Sequence, residues 1–306
     1  MLDFRIDTFL AVCAHMNYTK AAEELSITQP AVSQHIRYLE ETYQTRLFQH
    51  RGKKIELTAA GRLFLSSAIT MKHDDLRLRE KLAEVSRKKN RLNFGVTLTI
   101  GEYVMPGPIA SYLQKYPDTA IRMLTANTSE LLKRMNSSEI DFALVEGYFP
   151  KEEYDSLVYS RERYIGVCRN DYSFHKKVRR IEDLLPERVI IREPGSGTRE
   201  IWENVLESKN LGVHDFRNVV EIGNIDAIKQ LVGDGLGITF LYQAAVQKEL
   251  EEGLLAEIPL EDFHITHDFT FIWRKNSIFA EDYHELFELL AGCDTEALTQ
   301  SVTTVP

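Results

Sequence analysis

Tyr18-Thr19-Lys20-Ala21-Ala22-Glu23-Glu24-Leu25-Ser26-Ile27-Thr28-Gln29-Pro30-Ala31-Val32-Ser33-Gln34-His35-Ile36-Arg37-Tyr38-Leu39-Glu40 reads as two short helices joined by a tight turn. Asn17 is placed to cap the first helix, whose small and apolar residues Ala21, Ala22 and Leu25 share one side. Ser26-Ile27-Thr28 forms the turn and Thr28 caps the second helix. Pro30 falls in that helix's first turn, where a missing backbone N–H costs no intrahelical bond. Val32, Ile36, Leu39 and Tyr43 recur as an inward stripe, so Gln29, Ser33, Gln34 and Arg37 face outward. Glutamine can pair with adenine and arginine with guanine in a bidentate manner, so such a face suits the major groove of DNA.

The same pattern is also compatible with an ordinary αα-corner, and the residues that follow favour the DNA reading. Leu47-Phe48-Gln49-His50-Arg51-Gly52-Lys53-Lys54-Ile55-Glu56-Leu57-Thr58 predicts two extended runs around a basic glycine turn, a wing. Arg51, Lys53 and Lys54 there are candidates for phosphate or minor-groove contacts whose strength depends on salt more than on sequence. The candidate DNA-binding set is therefore Thr28, Gln29, Pro30, Ser33, Gln34, Arg37, Arg51, Lys53 and Lys54.

From Leu2 to about Lys89 the chain resembles the DNA-binding domain and linker helix of LysR-type transcriptional regulators. The resemblance is carried by Phe9-Leu10-Ala11-Val12, Tyr18 to Leu25, Thr28 to Ser33, Ile36 to Glu40, Leu47-Phe48 and Leu57-Thr58-Ala59-Ala60-Gly61. Members usually carry glycine where Gln44 stands and arginine where His50 stands, and Ser33-Gln34-His35 lacks the arginine common after that serine. These differences bear on the turn before the wing and remove one expected phosphate contact, and they leave the base preferences open.

Composition agrees with this division. At 306 residues and 43% hydrophobic content the chain has room for two or three domains with sizeable cores. The net charge of −9 splits unevenly: residues 1–90 hold 15 Lys+Arg against 11 Asp+Glu, and residues 91–306 hold 22 against 35. A basic head can approach phosphate while the acidic remainder stays off it. No apolar run is long enough for a membrane, and Met1-Leu2-Asp3-Phe4-Arg5 has no secretory pattern, so a cytoplasmic location is expected. Cys13, Cys168 and Cys293 are far apart and odd in number, which points to reduced thiols.

Between Thr58 and Lys89 there is no proline, and Phe64, Met71, Leu78 and Val85 recur every seven residues, with Ala68 and Leu82 between them. This predicts a linker helix of roughly 45 Å that pairs two chains through Phe64, Met71, Leu78, Leu82 and Val85, with Asp75 interrupting the seam. Two copies imply a double-stranded operator of two-fold symmetry. A homodimer or a homotetramer, the latter common in the family, fits.

From Arg91 onward strands are expected at 92–97, 119–125, 140–146, 164–168, 188–192, 218–222, 237–240, 254–258 and 268–274, with helical patterns between most of them. The expected fold is thus α/β: a winged helix-turn-helix at 1–58, a linker helix at 59–90 and an effector-binding domain at 91–306. The resemblance implies two Rossmann-like subdomains similar to periplasmic solute-binding proteins, one of about 91–161 with 269–306, the other of about 162–268. Ligands of such folds sit at the carboxyl ends of strands.

Two segments are candidates for that crevice. Thr97-Leu98-Thr99-Ile100-Gly101-Glu102-Tyr103 follows the first strand and opens a helix. Glu193-Pro194-Gly195-Ser196-Gly197-Thr198-Arg199 does the same in the second subdomain, with Arg199 either a fork for an oxyanion or a partner in a surface salt bridge. The candidate effector set is Thr97, Thr99, Ile100, Gly101, Glu146, Ser196, Gly197, Thr198 and Arg199, although Glu146 also suits a rim or hinge and Asn224 a helix cap. Arg192 to Arg199, Val145-Glu146-Gly147 and Ile222 to Lys229 further resemble the sulfite- and anion-responsive branch of the family. The effector is expected to be a small anion, either a compact oxyanion such as sulfite or a small carboxylate.

Neither an enzyme nor a periplasmic carrier accounts for the chain as well. Gly195-Ser196-Gly197 lacks nucleophile-elbow spacing, Gly233-Asp234-Gly235-Leu236-Gly237 has no lysine for a phosphate loop, and the nine histidines form no metal doublet. No catalytic residue, metal ligand or cofactor is expected. A carrier leaves the reading head unexplained.

Overall fold

Side-chain capping fixes the start of each short helix in the head. The structure, a computed structural model, describes residues 2–52, 54–87 and 91–300. Helices α1 (Phe4–His15), α2 (Tyr18–Glu24) and α3 (Gln29–Thr42) come first. Asp3 caps α1, Asn17 accepts from the amides of Thr19 and Lys20 at the start of α2, and Thr28 accepts from Ala31 N at 3.4 Å in α3. Phe9, Val12, Val32, Ile36 and Leu39 close the core among the three helices. Tyr43, expected in the inward stripe, ends the helix half-exposed and rests its ring 5.0 Å from that of Phe64.

Strands β1 (Phe48–Arg51) and β2 (Lys54–Leu57) pair antiparallel, Arg51 opposite Lys54, around Gly52 at φ 64°. Buried Glu40 holds this wing to α3: its Oε1 accepts from the amides of Leu47 and Phe48 at 2.8 and 3.3 Å, and its Oε2 from Arg46 at 2.7 Å. Gln44 has φ 51°, the left-handed conformation that glycine adopts without a Cβ penalty, so its departure from the family puts strain into this turn. Gly61 is required by close approach, since a Cβ there would lie 2.0 Å from the Leu47 carbonyl oxygen.

Helix α4 (Ala59–Arg87) starts at Thr58, whose hydroxyl accepts from Gly61 N at 2.9 Å, and then leans on the effector domain of its own chain. Asp74 accepts from Ser277 Oγ at 2.6 Å and from Ile278 N at 3.0 Å. The fully buried Arg274 donates to the Ser66 carbonyl at 3.2 Å and to Asn136 Oδ1 at 2.9 Å. Phe64 packs edge-on against Phe9 at 4.8 Å and Ala68 is buried, so both serve the core of the head. Phe64 is therefore not on the exposed side, while Met71, Leu78 and Leu82 leave an apolar stripe uncovered in the single chain. Lys53 and the side chains of Val85 and Cys293 lie outside the described residues.

The rest is two lobes sharing two long strands. In the first lobe β3 (Arg91–Val96) leads through a π-helical turn (Ile100–Val104) to α5 (Pro106–Lys115), followed by β4 (Ala120–Thr125), α6 (Thr128–Asn136) and β5 (Phe142–Val145). The expected helix start after the first strand is thus a π turn, closed by Met105 N donating to Ile100 O at 2.8 Å. Next comes β6 (Tyr154–Arg169), then in the second lobe β7 (Arg188–Ile191), α7 (Gly197–Ser208), β8 (Asn218–Glu221), α8 (Ile225–Gly233), β9 (Thr239–Tyr242), α9 (Gln243–Glu251) and β10 (Leu255–Glu257). Strand β11 (Ile265–Arg274) returns to the first lobe before α10 (Ala280–Gln300).

The main sheet runs β10-β6-β11-β5-β3-β4 with β9 also on β6, and β7 pairs parallel to β8. β6 and β11 are antiparallel from Tyr164↔Ile265 to Tyr154↔Arg274, with a slip between Phe269 and Thr270. β6 begins well before the expected 164–168, because Asp155, Arg161, Glu162 and Arg163 hide an alternating, half-exposed strand from a search for apolar runs.

Candidate functional site

The candidate residues gather in two places. On the head, Thr28, Gln29, Pro30, Gln34 and Arg37 of α3 and its cap are exposed, and Ser33 is half-buried, accepting from Gln29 Nε2 at 2.9 Å. No ion pair among the described residues engages Arg37. His35 points instead to α1, its Nδ1 3.0 Å from Thr8 Oγ1 and its ring 5.0 Å from Phe4. Beside this helix the wing presents exposed Lys54 and Arg51, the latter 3.8 Å from Glu56, a surface pair too solvated to hold it.

The second place lies between the lobes, at the carboxyl ends of β3, β4, β5, β7 and β8. A cavity of about 200 Å³ is lined there by Thr97, Asn127, Glu146, Arg192, Ser196 and Gly197, among others. Thr99 Oγ1 of the first lobe stands 3.5 Å from Thr198 Oγ1 of the second, and Thr198 Oγ1 is 3.5 Å from Glu146 Oε1. Tyr164 on β6 steadies the start of α7 by donating to the Thr198 carbonyl at 2.9 Å. Ser196 is at the N-cap of α7, yet its hydroxyl makes no capping bond. Partial positive charge at the start of a 12-residue helix faces this space.

Four side-chain atoms on its walls are buried without a hydrogen-bond partner among the described residues: Thr97 Oγ1, Ser196 Oγ, Arg192 Nη1 and Glu146 Oε2. Buried polar atoms are normally paired, and here four unpaired ones line a single cavity. Burial pushes the Glu146 carboxyl up to about 7, against the opposing pull of Thr99, Arg192 and Thr198. A more open hollow of about 550 Å³ lies on the other side of Glu146 and Gly197, but Arg161 there is already paired with Asp268 at 2.9 Å.

Three expected residues and one unexpected one change the site. Ile100 and Gly101 are buried beside the cavity without lining it. Arg199 is turned away: it donates to Glu203 and Glu221 at 2.7 Å each and to the Arg192 carbonyl at 3.0 Å. The cause is helical geometry, since the residue after Thr198 is rotated by about 100° from it. Arg192 supplies the cation instead, buried and held by Glu193 at 2.8 Å. Its signal in the sequence is a charge that ends the apolar strand Val189-Ile190-Ile191.

A bacterial regulatory helix-turn-helix protein of the lysR family matches residues 5–62, and the LysR substrate binding domain matches residues 86–292. The chain belongs to the LysR-type regulators. Among its relatives is the HTH-type transcriptional regulator CysL of Bacillus subtilis, 30% identical over 87% of this chain and 89% of that protein. The fold is similar to that of the Corynebacterium glutamicum OxyR C206 mutant, with a TM-score of 0.60, 21% identity and coverage of 99% of this chain and 95% of that one. The Synechocystis PCC6803 CcmR regulatory domain in complex with 2-PG superposes with a TM-score of 0.58 at 25% identity, covering 66% of this chain and 96% of that one.

LysR-type regulators are transcription factors that bind DNA and small-molecule effectors and form oligomers, so this regulator's head and two-lobed domain divide those tasks. Among its described residues no helix is long and apolar enough to cross a membrane, and no three His, Cys, Asp or Glu side chains could hold a metal ion. Burial pushes the Cys13 and Cys168 thiols up to about 12 and about 11, so in this regulator they remain thiols at neutral pH.

Proposed function

We propose that this regulator, working in the cytoplasm, reads a two-fold symmetric operator with Thr28, Gln29, Pro30, Ser33, Gln34 and Arg37, steadied by Arg51, Lys53 and Lys54 of the wing, and that a small anion between the lobes controls it. The effector is a compact oxyanion such as sulfite or a small carboxylate, received by Thr97, Ser196 and Arg192 beside Glu146. The observation that carries this reading is the set of buried unpartnered atoms, three donors and one acceptor, around the cavity. The 2-PG in the CcmR regulatory domain supports a small effector.

Control works by population shift. The lobes touch through Thr99 and Thr198 and through Tyr103 Oη, which donates to Asp226 Oδ1 at 2.8 Å. A ligand bridging the lobes favours one arrangement by its differential affinity, and α4, seated on the first lobe, carries the difference to the paired heads. Pairing uses Met71, Leu78 and Leu82 of α4, in a dimer or a tetramer.

Arg192→Met removes the cation while keeping most of the packing. Charge-assisted hydrogen bonds contribute about 1.5–3 kcal/mol, so anion affinity should fall on the order of 10- to 100-fold. Titration calorimetry with sulfite, phosphate and acetate checks it, with thermal unfolding as the control for folding. Undiminished binding in the variant removes Arg192, and with it this cavity, from the account.

A further inference from the structure

We propose that the interlobe cavity selects anions carrying a hydrogen-bond donor of their own, a hydroxyl or acid O–H, over anions that offer acceptors only, and that Glu146 makes the selection. This rests on the reading of the cavity as an anion site. The free atoms on its walls are unequal: Thr97 Oγ1, Ser196 Oγ and Arg192 Nη1 can donate, whereas Glu146 Oε2, when ionised, can only accept. All four side chains are more than nine-tenths buried, so no solvent compensates a mismatch.

A donor-bearing anion satisfies all four atoms at once. An acceptor-only anion satisfies the three donors but sets a negative oxygen against a negative carboxylate, unless Glu146 first takes up a proton and donates. The groups around Glu146 leave that choice to the ligand. Arg192 faces it from the end of β7 but is shared with Glu193, and Thr99 and Thr198 reach only one oxygen region of the carboxyl. Tyr164 of β6 and Tyr242 of β9 are held neutral, burial pushing both hydroxyls well above their ordinary value. In the outer hollow Arg161 is paired with Asp268, while Lys151, Glu200 and His267 stand on the more open side.

With the Glu146 carboxyl pushed up to about 7 by burial, proton uptake costs little at pH 6 and progressively more above neutrality. For a ligand that binds only the protonated form, affinity then falls about tenfold for each pH unit above that value.

The test is calorimetry on the full chain with size-matched anion pairs that differ by a donor: phosphate against sulfate and glycolate against propionate. At pH 8 the donor-bearing member of each pair should bind at least tenfold more tightly. Sulfate should gain about tenfold when the pH is lowered from 8 to 6. Glu146→Gln supplies a permanent donor, so the variant should bind sulfate about tenfold more tightly than the native protein at pH 8, with no pH dependence. Equal affinities within both pairs at pH 8 in the native protein overturn the selection by Glu146 and leave the anion site standing. Binding of none of the four anions overturns both.

Discussion

Exchanging Leu78 and Leu82 together for aspartate should leave the chain folded but unable to pair through its linker helix. Both side chains are exposed in the single chain, at 43% and 61%, so little of the chain's own core is disturbed. In a paired linker the part still exposed would be covered, each side chain contributing about 1 kcal/mol of apolar burial. The substitution forfeits that and adds four carboxylates to one dimer seam, where unpaired charges are costly to desolvate. Sedimentation should therefore show monomers at micromolar concentration, and affinity for a two-half-site operator should drop at least 100-fold while binding to one half-site is retained. An oligomer of native size with native operator affinity would rule out this face of α4 as the seam.

Arg274→Met should cost about 3 kcal/mol of stability and loosen the seat of α4 on the first lobe. The native guanidinium is fully buried, bonded to Asn136 Oδ1 and the Ser66 carbonyl, with its charge 5.0 Å from the centre of the Tyr154 ring. Methionine fills much of the space but forfeits two bonds from a charged donor, at about 1.5–3 kcal/mol each, while Tyr154 Oη still donates to Asn136 Oδ1 and Thr70 Oγ1 to the Ser66 carbonyl. The ion pair with Glu153 adds little, because that carboxylate is 42% exposed. Urea unfolding measures the loss. A change below about 0.5 kcal/mol, ordinary for a surface substitution, would show that these bonds do not fasten the linker.

The head was the most legible part of the sequence because its determinants are local. Asn17 and Thr28 cap the helices they were expected to cap, Pro30 sits in a first turn and Gly52 turns the wing. Strand positions in the effector domain were legible where a strand is an apolar run, as in β5 and β7, and illegible in the first part of β6, where polar and charged residues break the run and burial alternates. The cavity's hydroxyls were found because they follow strand ends, a position set by the fold class.

What escaped was the orientation of side chains within a helical turn and across the fold. Thr198 and Arg199 are neighbours in sequence, yet one faces Thr99 of the other lobe and the other pairs with Glu203 and Glu221. Phe64 shares its heptad with Met71 and Leu78, but it is absorbed by Phe9 and Tyr43, residues of the head. Arg274 owes its burial to partners far off in the chain, and Arg192 is buried at a strand end with, among the described residues, only its neighbour Glu193 paired to it. No periodicity encodes such partners.

The claim that an anion held between the lobes governs DNA binding is tested most directly by operator affinity, measured by fluorescence anisotropy at fixed ionic strength with and without saturating anion, in the native regulator and in Arg192→Met. The anion should change the native protein's operator affinity by about 5- to 150-fold in one direction, as a coupling of 1–3 kcal/mol requires, and leave the variant's affinity unaltered at the same concentration. An anion that binds the native effector domain without any change in operator affinity, or one that shifts the variant as strongly as the native protein, would contradict it.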